Sequence, residues 1–298
     1  MNKNVDFFII GAQKAGTTSL YKYLNEHPDI FMPKVKENHF FAEERFYKRG
    51  VEYFHKYYED YSNQQLAGGA YVHLFSCNEA PERIFNYNRN AKILIMLRNP
   101  IDRAYSAYNF ALKNGWESPK NAFLETIKLQ SKRSKGNFTE QTDLSYFQVG
   151  LYNTHISNWL KWFKKDQLFI LLDTDLKQKD QQPIKNLFGF LGVDKNVNIN
   201  TEMVYNKSGD VKFKSVHYFI RDKESPVKRI FSKLLPFKAR YFLRTRLRKF
   251  IDKFNMIEKK YEKLTIEERA EVYKYFENDV QNLSVLLDKD FDMLWRPK

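Results

Sequence analysis

Cysteine is almost missing from this chain of 298 residues: Cys77 stands alone. One thiol can form neither an internal disulfide nor a cysteine-based metal cluster, so the fold is not stapled for an oxidising compartment. Glycine and proline are sparse, at 11 and 9 residues, with no internal repeat and no low-complexity linker. Long apolar runs are lacking as well. The run Val5–Ile10 spans six residues, too short for a signal-peptide core or a membrane span, and a cytoplasmic chain is expected. Acidic residues are the minority charge, 36 against 50 Lys and Arg, for a formal net charge of +14. That balance calls for an anionic partner: nucleic acid, an acidic membrane surface, a polyanionic glycan or a phosphate-rich small ligand. Apolar residues, in contrast, reach 43%, enough for a sizeable core and too many for disorder.

Three short runs, Val5–Ile10, Ile93–Leu97 and Leu168–Leu172, read as strands covered on both faces. Helical stripes lie between them. Leu20, Tyr23, Leu24 and His27 follow the first run and stop at Pro28; Tyr105, Tyr108 and Leu112 follow the second. Ile156, Trp159, Leu160 and Phe163 precede the third, and Pro183 opens a further helix through Phe190. This alternation predicts an α/β fold with a central parallel sheet flanked by helices in three layers. The polar stretch 129–145 reads as a surface loop. Residues 1–200 form the expected core of one domain covering 1–298, and 201–298 its helical C-terminal additions. Within those, 221–250 holds eleven Lys and Arg against two acidic residues, interleaved with apolar side chains. A last amphipathic helix over about 266–288 carries Tyr273, Phe276, Val280, Leu283 and Leu287 on one face.

Directly after the first run comes Gly11-Ala-Gln-Lys-Ala-Gly-Thr-Thr18, a turn leading into a helix N-terminus, where backbone N–H groups cradle anionic oxygens. Its two glycines match a P-loop, but Thr17 stands where a nucleoside-triphosphate site needs lysine, and Lys14 lies inside the loop instead. Alone, the segment could equally be a glycine-permitted turn capping a helix. Arg98 ends the second strand at the edge where open α/β sheets bind ligands, and Ser106 follows about two helical turns later. Arginine's planar fork and serine's hydroxyl suit a second, separate phosphate.

With these motifs the sequence resembles the sulfotransferases that use 3′-phosphoadenosine 5′-phosphosulfate, most closely the branch of heparan sulfate and related bacterial carbohydrate sulfotransferases. The resemblance runs through Phe8–Leu20, His27–Ile30, Lys36-Glu-Asn-His-Phe-Phe41, Ala80–Ile84, Arg98–Tyr108, Gly150–Tyr152 with Trp159, Phe190–Gly192 and Trp295. It implies a P-loop-like fold and a donor, releasing the 3′,5′-bisphosphate, held without a metal. Lys14, Ala15, Gly16, Thr17 and Thr18 would take the 5′-phosphosulfate; Arg98 and Ser106 the 3′-phosphate; Gly150 and Tyr152 the neighbourhood of the adenosine. Glu37 would be the general base and Lys14 a catalytic cation, with His39 orienting Glu37 or the acceptor.

The chain departs from the family at Gly68–Phe75, where related enzymes carry an acidic residue that is Gly69 here. Tyr71 and His73 then become candidate acceptor contacts, and the extra glycine is expected to loosen that loop. The expected acceptor is a glycan or glycolipid. The tract 221–250 fits three readings: a flank or lid for an acidic acceptor, contact with anionic lipid at the inner membrane face, or neither. Two rival classes remain: a nucleotide phosphotransferase with an atypical P-loop, and a basic protein binding nucleic acid or a membrane surface. No aromatic ribonucleoprotein motif or helix-turn-helix supports nucleic acid as partner.

Overall fold

The computed structural model describes residues 4–178, 181–200, 210–211, 256–257 and 261–297. The basic tract 221–250 lies outside the described residues. Five strands form one sheet: β1 Phe7–Gly11, β2 Ile30–Phe31, β3 Leu66–Ala70, β4 Lys92–Leu97 and β5 Leu168–Leu172. Their spatial order is β2-β3-β1-β4-β5, and every pairing is parallel. All strand C-termini therefore share one edge. Chain order reverses across β1, because β2 and β3 add on one side and β4 and β5 on the other. Such a switch point leaves a crevice at the C-terminal edge.

Burial on both faces explains the composition of the central strands: β1 is buried throughout, and Ile93–Leu97 are fully covered. Asp6, inside the first run, instead precedes β1, and its carboxylate accepts the Ala67 N–H at 2.6 Å. Strand β3 has no apolar run to announce it, and its glycines do not loosen a loop. They sit in the sheet because a Cβ on Gly68 would lie 2.3 Å from Phe7 and 2.4 Å from the Met32 sulfur, and one on Gly69 2.9 Å from Phe8. Large side chains on β1 and Met32 leave no room for side chains at these two positions of β3.

The helices that matter for the site are α1 Thr17–Glu26, α2 Ala80–Tyr87, α3 Pro100–Asn114, α4 Tyr152–Trp159, α5 Gln182–Leu191, α6 Ile266–Leu287 and α7 Phe291–Trp295. Helix α3 starts with Pro100 at its first position and the Asn99 side chain accepting from Ile101 N at 3.0 Å, and ends at left-handed Gly115. Thr265 and Glu268 form a capping box at the start of α6. The apolar face of α6, Val272, Tyr273, Phe276, Val280 and Leu283, is buried. Its far end is tied to the sheet edge through Trp295 of α7, whose carbonyl accepts from Asn99 Nδ2 at 3.1 Å.

The stretch 129–145 is not a surface loop. It contains two short helices, Gln130–Arg133 and Phe138–Thr142, and buries Gln130, Arg133, Thr142, Asp143, Leu144 and Ser145. Polar side chains go inside because they find partners. Arg133 pairs with buried Glu117 at 2.6 Å and donates to Leu144 O at 2.9 Å, and Tyr146 donates to the same carboxylate at 2.9 Å. Among the described residues no helix is long and apolar enough to cross a membrane.

Candidate functional site

The two phosphate motifs converge at the switch point between β1 and β4. Lys14 adopts a left-handed backbone with φ 67°, and Gly16 follows with φ 102° before α1 begins. Glycine offers no side chain to cap α1, so the first-turn N–H groups at Thr17 and Thr18 are left for an anion. Ala15 is fully buried and Thr17 nearly so, which pins the loop, while Thr18 is half-buried. The Lys14 ammonium lies 4.5 Å from the centre of the Phe110 ring. Burial, reinforced by the positive charges of Arg98 and Lys113, pulls the Lys14 amine down to about 8. Positive charge is thus concentrated at this loop, with Asp173 beside Arg98 as an acidic neighbour.

Arg98 directly follows β4 beside this loop, donating from Nη1 to the Lys14 carbonyl at 3.3 Å, with Nε 3.8 Å from Asp173. Asp173, at the end of β5, thus faces arginine. Ser106 is half-buried on α3. Gly150 and Tyr152 serve the site from behind. Tyr152 is fully buried and donates its hydroxyl to the Arg98 carbonyl at 2.8 Å, so it reaches the crevice through Arg98. A Cβ on Gly150 would lie 2.6 Å from the Phe276 ring, so its lack of a side chain lets α6 pack.

On the other side of the loop stands the segment 36–43. Glu37 is 42% exposed on its side chain, open to an incoming molecule, and accepts the Val72 N–H at 3.2 Å. Its other oxygen pairs with Lys36, whose Nζ is also 3.4 Å from Thr17 Oγ1. His39 is held through Nδ1 by the Glu43 carboxylate and by the Tyr71 hydroxyl at 2.6 Å. Burial drives the Glu43 carboxyl upward, but hydrogen bonding and charge from His39, with the charge of Arg45, outweigh it and leave the group below its ordinary value. For Tyr71, burial and then the charges of Glu43, Asp143 and Glu37 push the phenol far above its usual range, so it stays protonated.

His73 is buried, with Nε2 3.3 Å from Asp143, whose same oxygen accepts from Gln13 Nε2 at 2.8 Å. The structure thus ties Arg98 to Lys14, Glu37 through Lys36 to Thr17, and His73 through Asp143 to Gln13, all at the loop 11–18, with His39 and Tyr71 paired beside the contact of Glu37 with Val72. It adds Lys36, Gln13, Glu43 and Asp143, which sequence reasoning missed. Lys36 and Gln13 adjoin motif residues, a signal that was available; Asp143 sits in a stretch that reads as solvated, and nothing in its sequence separates it from neighbouring polar residues.

A parallel sheet with a lysine-bearing glycine loop after β1 and an arginine across its switch point defines a P-loop-like α/β protein. The chain belongs to the sulfotransferase family: the model of the sulfotransferase domain matches residues 4–280. It is 30% identical over 164 residues to heparan sulfate glucosamine 3-O-sulfotransferase 5 of Mus musculus, covering 55% of this chain and 46% of that protein. It is also 30% identical over 213 residues to the mouse bifunctional heparan sulfate N-deacetylase/N-sulfotransferase 4, covering 67% of this chain and 23% of that protein. The chain thus spans less than half the length of these curated relatives. Among solved structures, a sulfotransferase from Alicyclobacillus acidocaldarius shares the fold with a TM-score of 0.71 at 24% identity, over 99% of each chain.

Proposed function

We propose that this chain transfers a sulfuryl group from 3′-phosphoadenosine 5′-phosphosulfate to a hydroxyl, or an amine, of a carbohydrate or glycoconjugate. The observation that carries the reading is the link from Thr17 Oγ1 through Lys36 Nζ to Glu37, which sets an open carboxylate one side chain away from the anion loop. Lys14 and the N–H groups that open α1 hold the 5′ end of the donor and oppose the charge that develops on its leaving oxygen. Arg98 and Ser106 hold the 3′-phosphate. Glu37 takes the acceptor proton; His39, fixed through Nδ1, orients the acceptor beside it, with Tyr71 and His73 shaping that wall. The heparan sulfate names of the relatives favour a glycan acceptor. A nucleotide phosphotransferase is less well served, because Thr17 occupies the place of its lysine.

Glu37→Gln is the test. Calorimetric affinity for the 3′,5′-bisphosphate stays as in the wild type, while transfer of heavy-sulfur label to a glycan panel falls by roughly 10²–10⁴-fold. Unchanged transfer by the variant rejects Glu37 as base, and failure of the wild type to label any hydroxyl or amine rejects the reaction.

A further inference from the structure

Lys36 is a cation to which the mechanism above gives no task. Its side chain is only 15% exposed, and it is drawn inward between two groups. On one side Nζ is 3.4 Å from the hydroxyl of Thr17, the first residue of α1; on the other it pairs with the Glu37 carboxylate. The second Glu37 oxygen is occupied by the Val72 N–H, so the carboxylate does not depend on lysine alone for its position. The two contacts are the two ends of the transfer: Thr17 belongs to the donor loop, and Glu37 faces the acceptor.

We propose that Lys36 is a second catalytic cation, which binds the non-bridging oxygens of the sulfuryl group while it passes from donor to acceptor. The proposal rests on sulfuryl transfer with Glu37 as base. In that step the acceptor oxygen or nitrogen forms a bond to sulfur, and the bond from sulfur to the bridging oxygen breaks. The electron pair of the broken bond leaves with the 5′-phosphate, and the acceptor proton ends on Glu37. Charge builds at two places. Lys14 stands by the loop and answers the leaving oxygen, and Lys36 stands between loop and base and answers the oxygens of the group in flight. As Lys36 turns to those oxygens it frees one Glu37 oxygen for the acceptor proton.

The product bisphosphate lacks the sulfuryl group, which separates this role from ordinary phosphate binding. For Lys36→Ala, kcat at saturating donor is expected to fall roughly 10²–10³-fold, while calorimetric affinity for the 3′,5′-bisphosphate changes by less than about threefold. Lys36→Arg keeps the charge and is expected to recover at least about tenfold of the lost kcat. A bisphosphate affinity that falls in step with turnover overturns the proposal, since Lys36 is then a phosphate ligand. Unchanged kcat in Lys36→Ala overturns it as well. Glu37→Gln run in parallel keeps the two readings apart: normal turnover there defeats the base, whereas an inactive Glu37→Gln beside a fully active Lys36→Ala defeats only the role of Lys36.

Discussion

The buried Tyr152 hydroxyl donates to the Arg98 carbonyl at 2.8 Å, and the helix that Tyr152 opens is itself held by Asp279 of α6, which accepts from Asn153 N at 2.9 Å and Thr154 N at 3.1 Å. A C-terminal helix thereby sets the position of the arginine at the sheet edge. Tyr152→Phe leaves that carbonyl buried without its donor, an expected loss of about 1–3 kcal/mol in stability read by thermal melting. Arg98 also donates to the Lys14 carbonyl, so calorimetry is expected to show weaker binding of both nucleotides, with the larger loss for the 3′,5′-bisphosphate if Arg98 holds the 3′-phosphate as proposed.

If Lys14 holds the donor as proposed, binding depends on pH. In the free protein, burial and then the charges of Arg98 and Lys113 hold its amine at about 8. A bound polyanion favours the charged form and raises that value, so binding takes up a proton. Bisphosphate affinity should therefore be full well below pH 8 and decline as pH rises through and above it, with proton uptake visible as buffer-dependent heat. Phosphate monoesters lose their second proton near pH 6, which leaves the range from about pH 7 to 9 to the protein. Lys14→Met is expected to flatten the profile, and a flat wild-type profile contradicts this assignment.

Two glycines should fail in different ways. At Gly16 an added Cβ meets Met96 and Leu176 at 3.4 and 3.5 Å, ordinary contacts, so the difficulty is the backbone at φ +102°. Gly16→Ala should cost about 1–2 kcal/mol and displace the N–H groups at the start of α1, lowering bisphosphate affinity. At Gly150 the backbone is unremarkable and the obstacle is the Phe276 ring at 2.6 Å. Gly150→Ala is therefore expected to lower stability through overpacking by about 1–3 kcal/mol, seen as a lower melting temperature, with a smaller effect on affinity. Melting and calorimetry on both variants check the contrast.

The sheet was legible where physics writes a pattern. Strands β1 and β4 are buried runs of Phe, Ile and Leu; β5 matches the expected Leu168–Leu172 to the residue but, at the sheet edge, leaves Leu168–Ile170 half-buried rather than covered on both faces. Strand β3 was hidden because Gly68 and Gly69 carry no strand propensity of their own and are placed by Phe7, Phe8 and Met32. The stretch 129–145 misled for a related reason. Composition cannot distinguish a solvated Arg133 from one buried against Glu117, since satisfaction of the charge is a property of the partner. At the site, Lys14 and Arg98 stood out because a loop and a strand end fix where they lie. Lys36 did not, because its meaning comes from Thr17, nineteen residues away in sequence and 3.4 Å away in space.

The most direct test of the donor assignment is calorimetric titration of the purified chain with the 3′,5′-bisphosphate of adenosine and, separately, with AMP. If Arg98 and Ser106 form a dedicated 3′-phosphate site, the bisphosphate binds roughly 10- to 100-fold tighter, as expected for one added set of charge-assisted hydrogen bonds, and Arg98→Ala removes the difference. Equal affinity for the two nucleotides contradicts the account.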